Sequence, residues 1–204
     1  MNIKKILHPK FEFNDITYGF FTRKGGYSKS PYNSLNCSFN VEDNESDVKK
    51  NLTLICNELK LEKLIKLNQI HSTKVFVVKN KNDKSSNIEA DGLVTKLKGV
   101  GLSVLGADCA PILFYDKFSK IIGACHAGWR GVIRGIIESI IINMESLGAN
   151  RNNIISVIGP TIHKNSYEIK KDVALIVKKT ELYNNNQSIL FQVDDDKYLF
   201  DLPC

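Results

Sequence analysis

The chain has 204 residues, 43% hydrophobic and 25% charged, an ordinary globular composition long enough for one well-cored domain over 1–204. Its net charge of +6 raises nucleic acid as a partner, but the lysines are spread along the chain without a basic stripe or interleaved aromatics, which speaks against it. No run of about 18 apolar residues is present to span a membrane, the opening "MNIKKILHPKFEF" holds too short an apolar run for a signal peptide, and five irregularly spaced cysteines without a CxxC pair read as a reduced, cytoplasmic protein.

Residues 46–60, "SDVKKNLTLICNELK", read as an amphipathic helix with Ser46 as its N-cap and Val48, Leu52, Ile55 and Leu59 on one face. "KVFVV" (74–78) reads as a strand, followed by a polar loop over 79–87. "GVGLSVLGA" (99–107), "PILFY" (111–115) and "IIGACH" (121–126) read as three strands. Their connections are too short for crossover helices, so an antiparallel meander is expected. That meander brings Cys109 and His126 to one end of a sheet. Residues 132–148 read as one helix with Val132, Ile136, Ile140, Met144 and Leu147 on its apolar face and Gly148 at C′. A buried strand over 154–159, a helix over 170–179 and a polar turn over 183–188 complete the pass. Strands and helices are interspersed and the meander is antiparallel, so the fold class is α+β with largely antiparallel strands; the layered α/β sandwich with mixed sheets is what the family resemblance described below implies.

The chemistry-bearing residues sit at element ends, where sites are usually built. His71 lies just before a strand, Cys109 at a strand end in "GADCAP", and His126 at the end of another. Two histidines and a cysteine form a ligand set for a catalytic zinc, which takes three protein ligands and keeps one position open. Spacings of 38 and 17 residues are not a metal signature by themselves, and hydrogen-bonded structural histidines give the same pattern. Cys125 points to the opposite face from its neighbour His126 and reads as packing. The "HAGWRG" turn leads into a helix N-terminus whose free N–H groups attract anions. Arg130 adds a bidentate donor for phosphate or carboxylate, or a local ion pair, while Trp129 reads as core, with substrate stacking as the alternative. The P-loop, the full dinucleotide fingerprint, the zinc-deaminase signature and the GxSxG elbow are absent from the sequence.

Six ordered segments resemble one family: "GFFTRKGGYSKSPYNSLNCSFNVEDN" (19–44), "NQIHSTKV" (68–75), "ADGLVT" (90–95), "GADCAPILFYD" (106–116), "GACHAGWRG" (123–131) and "IGPTIHKNSYEI" (158–169). It is the bacterial polyphenol oxidase, laccase-like domain family of zinc-dependent purine nucleoside phosphorylases (YfiH-type). The resemblance implies a layered fold with mixed sheets and Zn2+ (or Cu2+, since members have been described as copper oxidases) held by His71, Cys109 and His126. It also implies purine nucleosides and inorganic phosphate as partners: adenosine, inosine and methylthioadenosine, with an accompanying adenosine deaminase activity. Two departures stand out. Members usually run some tens of residues past the point where this chain stops, at "FDLPC", so a shortened C-terminal segment is expected here. They also tend to carry Cys and Gly where this chain has Thr161 and His163, which implies a changed pocket wall or reduced activity.

Within that resemblance, Arg130 and the turn at Gly128 are candidates to hold phosphate. Arg23, Asn36 and Gln69 either line the substrate pocket or make turn and sheet hydrogen bonds. Asp108 is the candidate carboxylate behind the metal ligands, and His163 a candidate proton carrier. Two other readings use the same residues. A thiol hydrolase takes Cys109 as nucleophile and His126 as base, with no need of His71. A shortened remnant binds nucleosides without turnover or serves as a partner subunit. Oligomeric state has no signal in the sequence.

Overall fold

The computed structural model describes residues 3–83 and 87–202. Part of the 79–87 loop and the terminal Cys204 lie outside the described residues. Strands β1 (Lys5–Ile6) and β2 (Phe20–Phe21) form an antiparallel ribbon. Helix α1 (Glu45–Glu58) follows, capped by Asn44 rather than Ser46: the Asn44 side chain accepts from the Ser46 and Asp47 N–H groups at 2.9 and 3.4 Å. Either residue type can cap, and Glu45 joins Asp47 in the first turn, where the helix dipole favours negative charge.

The centre is a five-stranded sheet in the order β4 (Val75–Val77), β5 (Gly92–Thr95), β8 (Ile121–Ala127), β7 (Ala110–Asp116), β9 (Ile154–Ile158). β3 (Lys63–Lys66) and β6 (Val100–Ser103) pair with each other, in parallel, as a separate sheet. The expected meander therefore holds only for the β7–β8 hairpin. The strand flanking β8 on its other side is β5, not β6, because residues 104–109 carry the chain from one layer to the next. Six of the eight strand pairs among the described residues are antiparallel, so the sheets are mixed and largely antiparallel.

The expected helix over 132–148 is two helices: α2 (Trp129–Val132) and α3 (Ile136–Ser146). Gly135 separates them in the left-handed conformation, φ 89°, a region that suits glycine. Gly148, φ 105°, follows the end of α3 at the expected C′ position. Ile136, Ile140 and Met144 of α3 pack on the sheet face bearing Val94, Ile112, Phe114 and Cys125. The opposite face is covered by β3 and β6 through Ile65, Leu93 and Val100, and by the N-terminal segment through Phe11, Tyr115 and Val157. A third unit holds β10 (Glu168–Lys170), α4 (Lys171–Val177), α5 (Glu181–Asn185), β11 (Leu190–Gln192) and β12 (Lys197–Phe200), with Trp129 and Ile133 packed against its core. The expected polar turn over 183–188 thus lies largely within a short helix and a 3-10 turn, with Thr180 capping α5.

Candidate metal centre

In the hairpin register Ala110 faces Ala127 and Pro111 faces His126. Cys109, one residue ahead of β7, therefore lies beside the end of β8. Side chains alternate along a strand: Cys125 is fully buried against α3, so His126 projects from the other face. His71 comes from the turn before β4. Its ring meets that of His126 edge to face, centroids 4.7 Å apart. The ligand atoms of His71, Cys109 and His126 all lie within 4.8 Å of one another.

One buried carboxylate organises this cluster. Asp91 immediately precedes β5 and has no exposed surface. Its Oδ1 accepts from the His71 N–H at 3.0 Å and lies 2.9 Å from His126 Nδ1. Its Oδ2 accepts from the N–H groups of Ile70 and Ser72 and from the Ser72 hydroxyl, at 3.3, 2.6 and 2.8 Å. The Asp91 carbonyl in turn accepts from the His126 N–H at 2.8 Å. His71 sits at φ 57°, an uncommon conformation for a residue with a Cβ, and the carboxylate gathers the N–H groups on both sides of it. Asp108, the carboxylate expected in this role, is exposed. Its backbone carbonyl accepts from the Ile162 N–H and the Thr161 hydroxyl.

The donor set fits a zinc-like cation. Bonds of about 2.0 Å to imidazole and about 2.3 Å to thiolate put the donors of a tetrahedral site roughly 3.3–3.6 Å apart, so donors within 4.8 Å of one another would draw inward on a bound ion. Gly128 supplies the space. A Cβ there would lie 2.9 Å from His71 Cδ2, 3.3 Å from Cys109 Sγ and 3.5 Å from His126 Cε1, so any other residue would fill the hollow that the three donors surround. Burial, then the His126 ring, holds the His71 imidazole below its usual range, with Arg130 adding to the effect. The shift favours the neutral imidazole, the form that binds metal. Burial, then the Asp108 and Asp91 carboxylates, pushes the Cys109 thiol up. A cation beside the sulfur would reverse that preference.

Around the cluster, Arg130 is exposed and its guanidinium lies 4.6 Å above the Trp129 ring. Tyr167 is stacked on Phe200, ring centroids 5.5 Å apart; burial first, and the Cys109 charge after it, push its phenol pKa up, and Arg130 offsets part of the rise. Gln69 exchanges two hydrogen bonds with Leu105, of 2.9 and 2.7 Å, tying the His71 turn to the loop that leads to Cys109. Asn36 donates to Asp43 and to the Ser38 carbonyl, and Arg23 Nε donates to the Asn33 carbonyl. His163 is exposed and lines a separate hollow of about 340 Å³ with His8, Phe20 and Thr161. A larger hollow of about 550 Å³, between Tyr18, Leu61, Leu102 and Leu113, includes none of the three donors. Asp91, Ser72 and Tyr167 all lie in segments that the six motifs cover or adjoin, but sequence reading did not select them.

Residues 17–204 match the family model for "Multi-copper polyphenol oxidoreductase laccase". The chain is 34% identical over 190 residues to purine nucleoside phosphorylase RP494 of Rickettsia prowazekii, covering 93% of this chain and 75% of that protein. It is 34% identical over 185 residues to a purine nucleoside phosphorylase of Haemophilus influenzae, covering 89% and 72%. Among solved structures it resembles Neisseria meningitidis protein NMB0706, with TM-score 0.85, 28% identity, and coverage of all of this chain and 80% of that one. Bacillus licheniformis YfiH gives TM-score 0.84 at 29% identity, covering 94% and 75%. The chain belongs to this laccase-like family, as the six motifs implied.

Proposed function

We propose that this member of the laccase-like family is a metal-dependent purine nucleoside phosphorylase of the reducing cytoplasm. In this reading it takes adenosine, inosine or methylthioadenosine with inorganic phosphate, and it also deaminates adenosine. The observation that carries the reading is the convergence of His71, Cys109 and His126 around Gly128, in a chain about a third identical to proteins named for that activity. The three residues would hold zinc, or copper, which supplies Lewis acidity and a water of pKa about 7.

In phosphorolysis a phosphate oxygen bonds to ribose C1′ while the C1′–N9 bond breaks. The purine leaves with the bonding electrons and takes up a proton. Arg130 would bind the phosphate through its guanidinium fork, held over Trp129 at the start of α2. Tyr167, packed on Phe200, would serve the leaving purine as a proton donor; His163, which lines a separate hollow, would not. Gln69 would keep the two ligand loops at a fixed separation, and Arg23 and Asn36 would shape the adjoining loop. In deamination, the oxygen of water bonds to the purine C6, the C6–N6 bond breaks, and the amino group leaves as ammonia.

The arrangement Cys109, His126, Asp91 also supports a second reading, a thiol hydrolase with a carboxylate-oriented base. Against it, that triad has no use for His71, and the surroundings of Cys109 disfavour thiolate. Metal content and adenosine turnover in phosphate buffer, on wild type and Cys109→Ala, separate the readings. The phosphorylase reading expects near-stoichiometric metal, lost with Cys109, and release of adenine and ribose 1-phosphate. Metal without turnover would indicate a non-catalytic nucleoside-binding remnant. No metal, with a reactive Cys109, would overturn the reading in favour of the hydrolase.

A further inference from the structure

We propose that Asp91 is the positioning residue of the metal centre: its carboxylate holds the proton of His126 on Nδ1, leaving Nε2 as the ligand atom, and sets the backbone that presents His71. The proposal rests on the three-donor metal reading.

Asp91 is wholly buried, and a buried carboxylate is costly unless its lone pairs are filled. Five donors fill them: three successive N–H groups of residues 70–72, the Ser72 hydroxyl and His126 Nδ1. All five belong to the segments that carry the two ligand histidines. A carboxylate only accepts, so the proton of a neutral His126 belongs on Nδ1. The N–H groups of Ile70, His71 and Ser72 point at one anion, which accounts for the left-handed conformation of His71. The backbone repeats the connection, since the Asp91 carbonyl receives the His126 N–H at 2.8 Å. His71 reaches the sheet end through Asp91, whereas Cys109 and His126 are joined there by the β7–β8 register. A residue needed only for packing at the start of β5 would not be a carboxylate with every donor drawn from ligand-bearing segments.

Asp91→Asn keeps the shape and replaces one oxygen by a donor. Facing His126, that donor turns Nδ1 into an acceptor and moves the proton to Nε2, the atom the metal needs. Zinc affinity, measured by competition with a chelating dye, should fall roughly 10- to 100-fold, with the far-UV circular dichroism unchanged. Long-range proton–nitrogen NMR of the metal-free protein should find His126 protonated on Nδ1 in wild type and on Nε2 in Asp91→Asn. The wild-type spectrum needs no variant, so the proposal stays open to refutation even if Asp91→Asn fails to fold. Wild-type His126 protonated on Nε2 would overturn it, as would Asp91→Asn binding zinc as tightly as wild type. If wild type takes up no zinc, the metal reading falls, and the tautomer still decides what Asp91 does to His126.

Discussion

At the scale of single residues, Cys109 decides between the two enzyme readings. Burial acts on its thiol first, and the nearby Asp108 and Asp91 charges add to it, so the pKa lies above its ordinary value of 9.0 in the metal-free protein. A raised pKa means less thiolate at every pH. Alkylation of metal-free protein by iodoacetamide should therefore be slower at pH 8 than that of an unstructured cysteine, with its half-maximal rate above pH 9. Added zinc should suppress it further by occupying the sulfur. A midpoint near or below neutrality would mark an activated nucleophile and restore the hydrolase. The clustering of His71, Cys109 and His126 could be anticipated in the sequence because each ends or precedes a strand. Asp91 was not. Its partners lie 19 to 35 residues away, and a lone Asp before a strand carries no local sign of what it will accept. Asp108 drew the expectation because it adjoins Cys109 in the chain, yet it faces solvent.

At the scale of elements, the corner from β8 into α2 and α3 joins the site to the core. Gly128 keeps the ligand hollow open, and Gly135 lets the chain turn before α3 packs on the sheet. No atom lies within 4 Å of a Cβ built on Gly135, so Gly135→Ala tests the backbone alone. At φ 89° the substitution should cost about 1–2 kcal/mol. The unfolding midpoint should drop by roughly 2–4 °C for each kcal/mol in a chain of this size, while metal affinity stays as in wild type. An unchanged midpoint would mean that α2 and α3 can merge into one helix. The sequence reads as one helix because apolar spacing continues through the break, and a single glycine inside a helical pattern costs only about 1 kcal/mol relative to alanine. Strand pairing shows the same limit. A four-residue turn at 117–120 specifies the β7–β8 hairpin locally, whereas the β5–β8 and β3–β6 contacts join segments far apart in the chain, and short-range periodicity does not encode them.

At the scale of the whole molecule, a metal held by the three donors would be a cross-link between parts that the chain keeps separate. Cys109 and His126 ride on one hairpin, and His71 arrives from the far side of β5. A cation bound by all three ties the β4–β5 side of the sheet to the β7–β8 side, and the unfolded chain has no such preformed site. Ligand that binds only the folded state adds about 2.7 kcal/mol at one hundred times its dissociation constant, which corresponds to roughly 5–11 °C in the unfolding midpoint. Zinc added to metal-free protein should produce a shift of that order, measured by calorimetry against a chelator-treated control. Because the Cys109 thiol must lose its proton to bind and starts with a raised pKa, the shift should grow with pH across the neutral range and shrink below it. His71→Ala should reduce it strongly, since two donors on one hairpin no longer join the two sides of the sheet. A full shift in His71→Ala would place the ion on Cys109 and His126 alone. His71 would then have no part in holding the metal, and the three-donor centre would have to be abandoned.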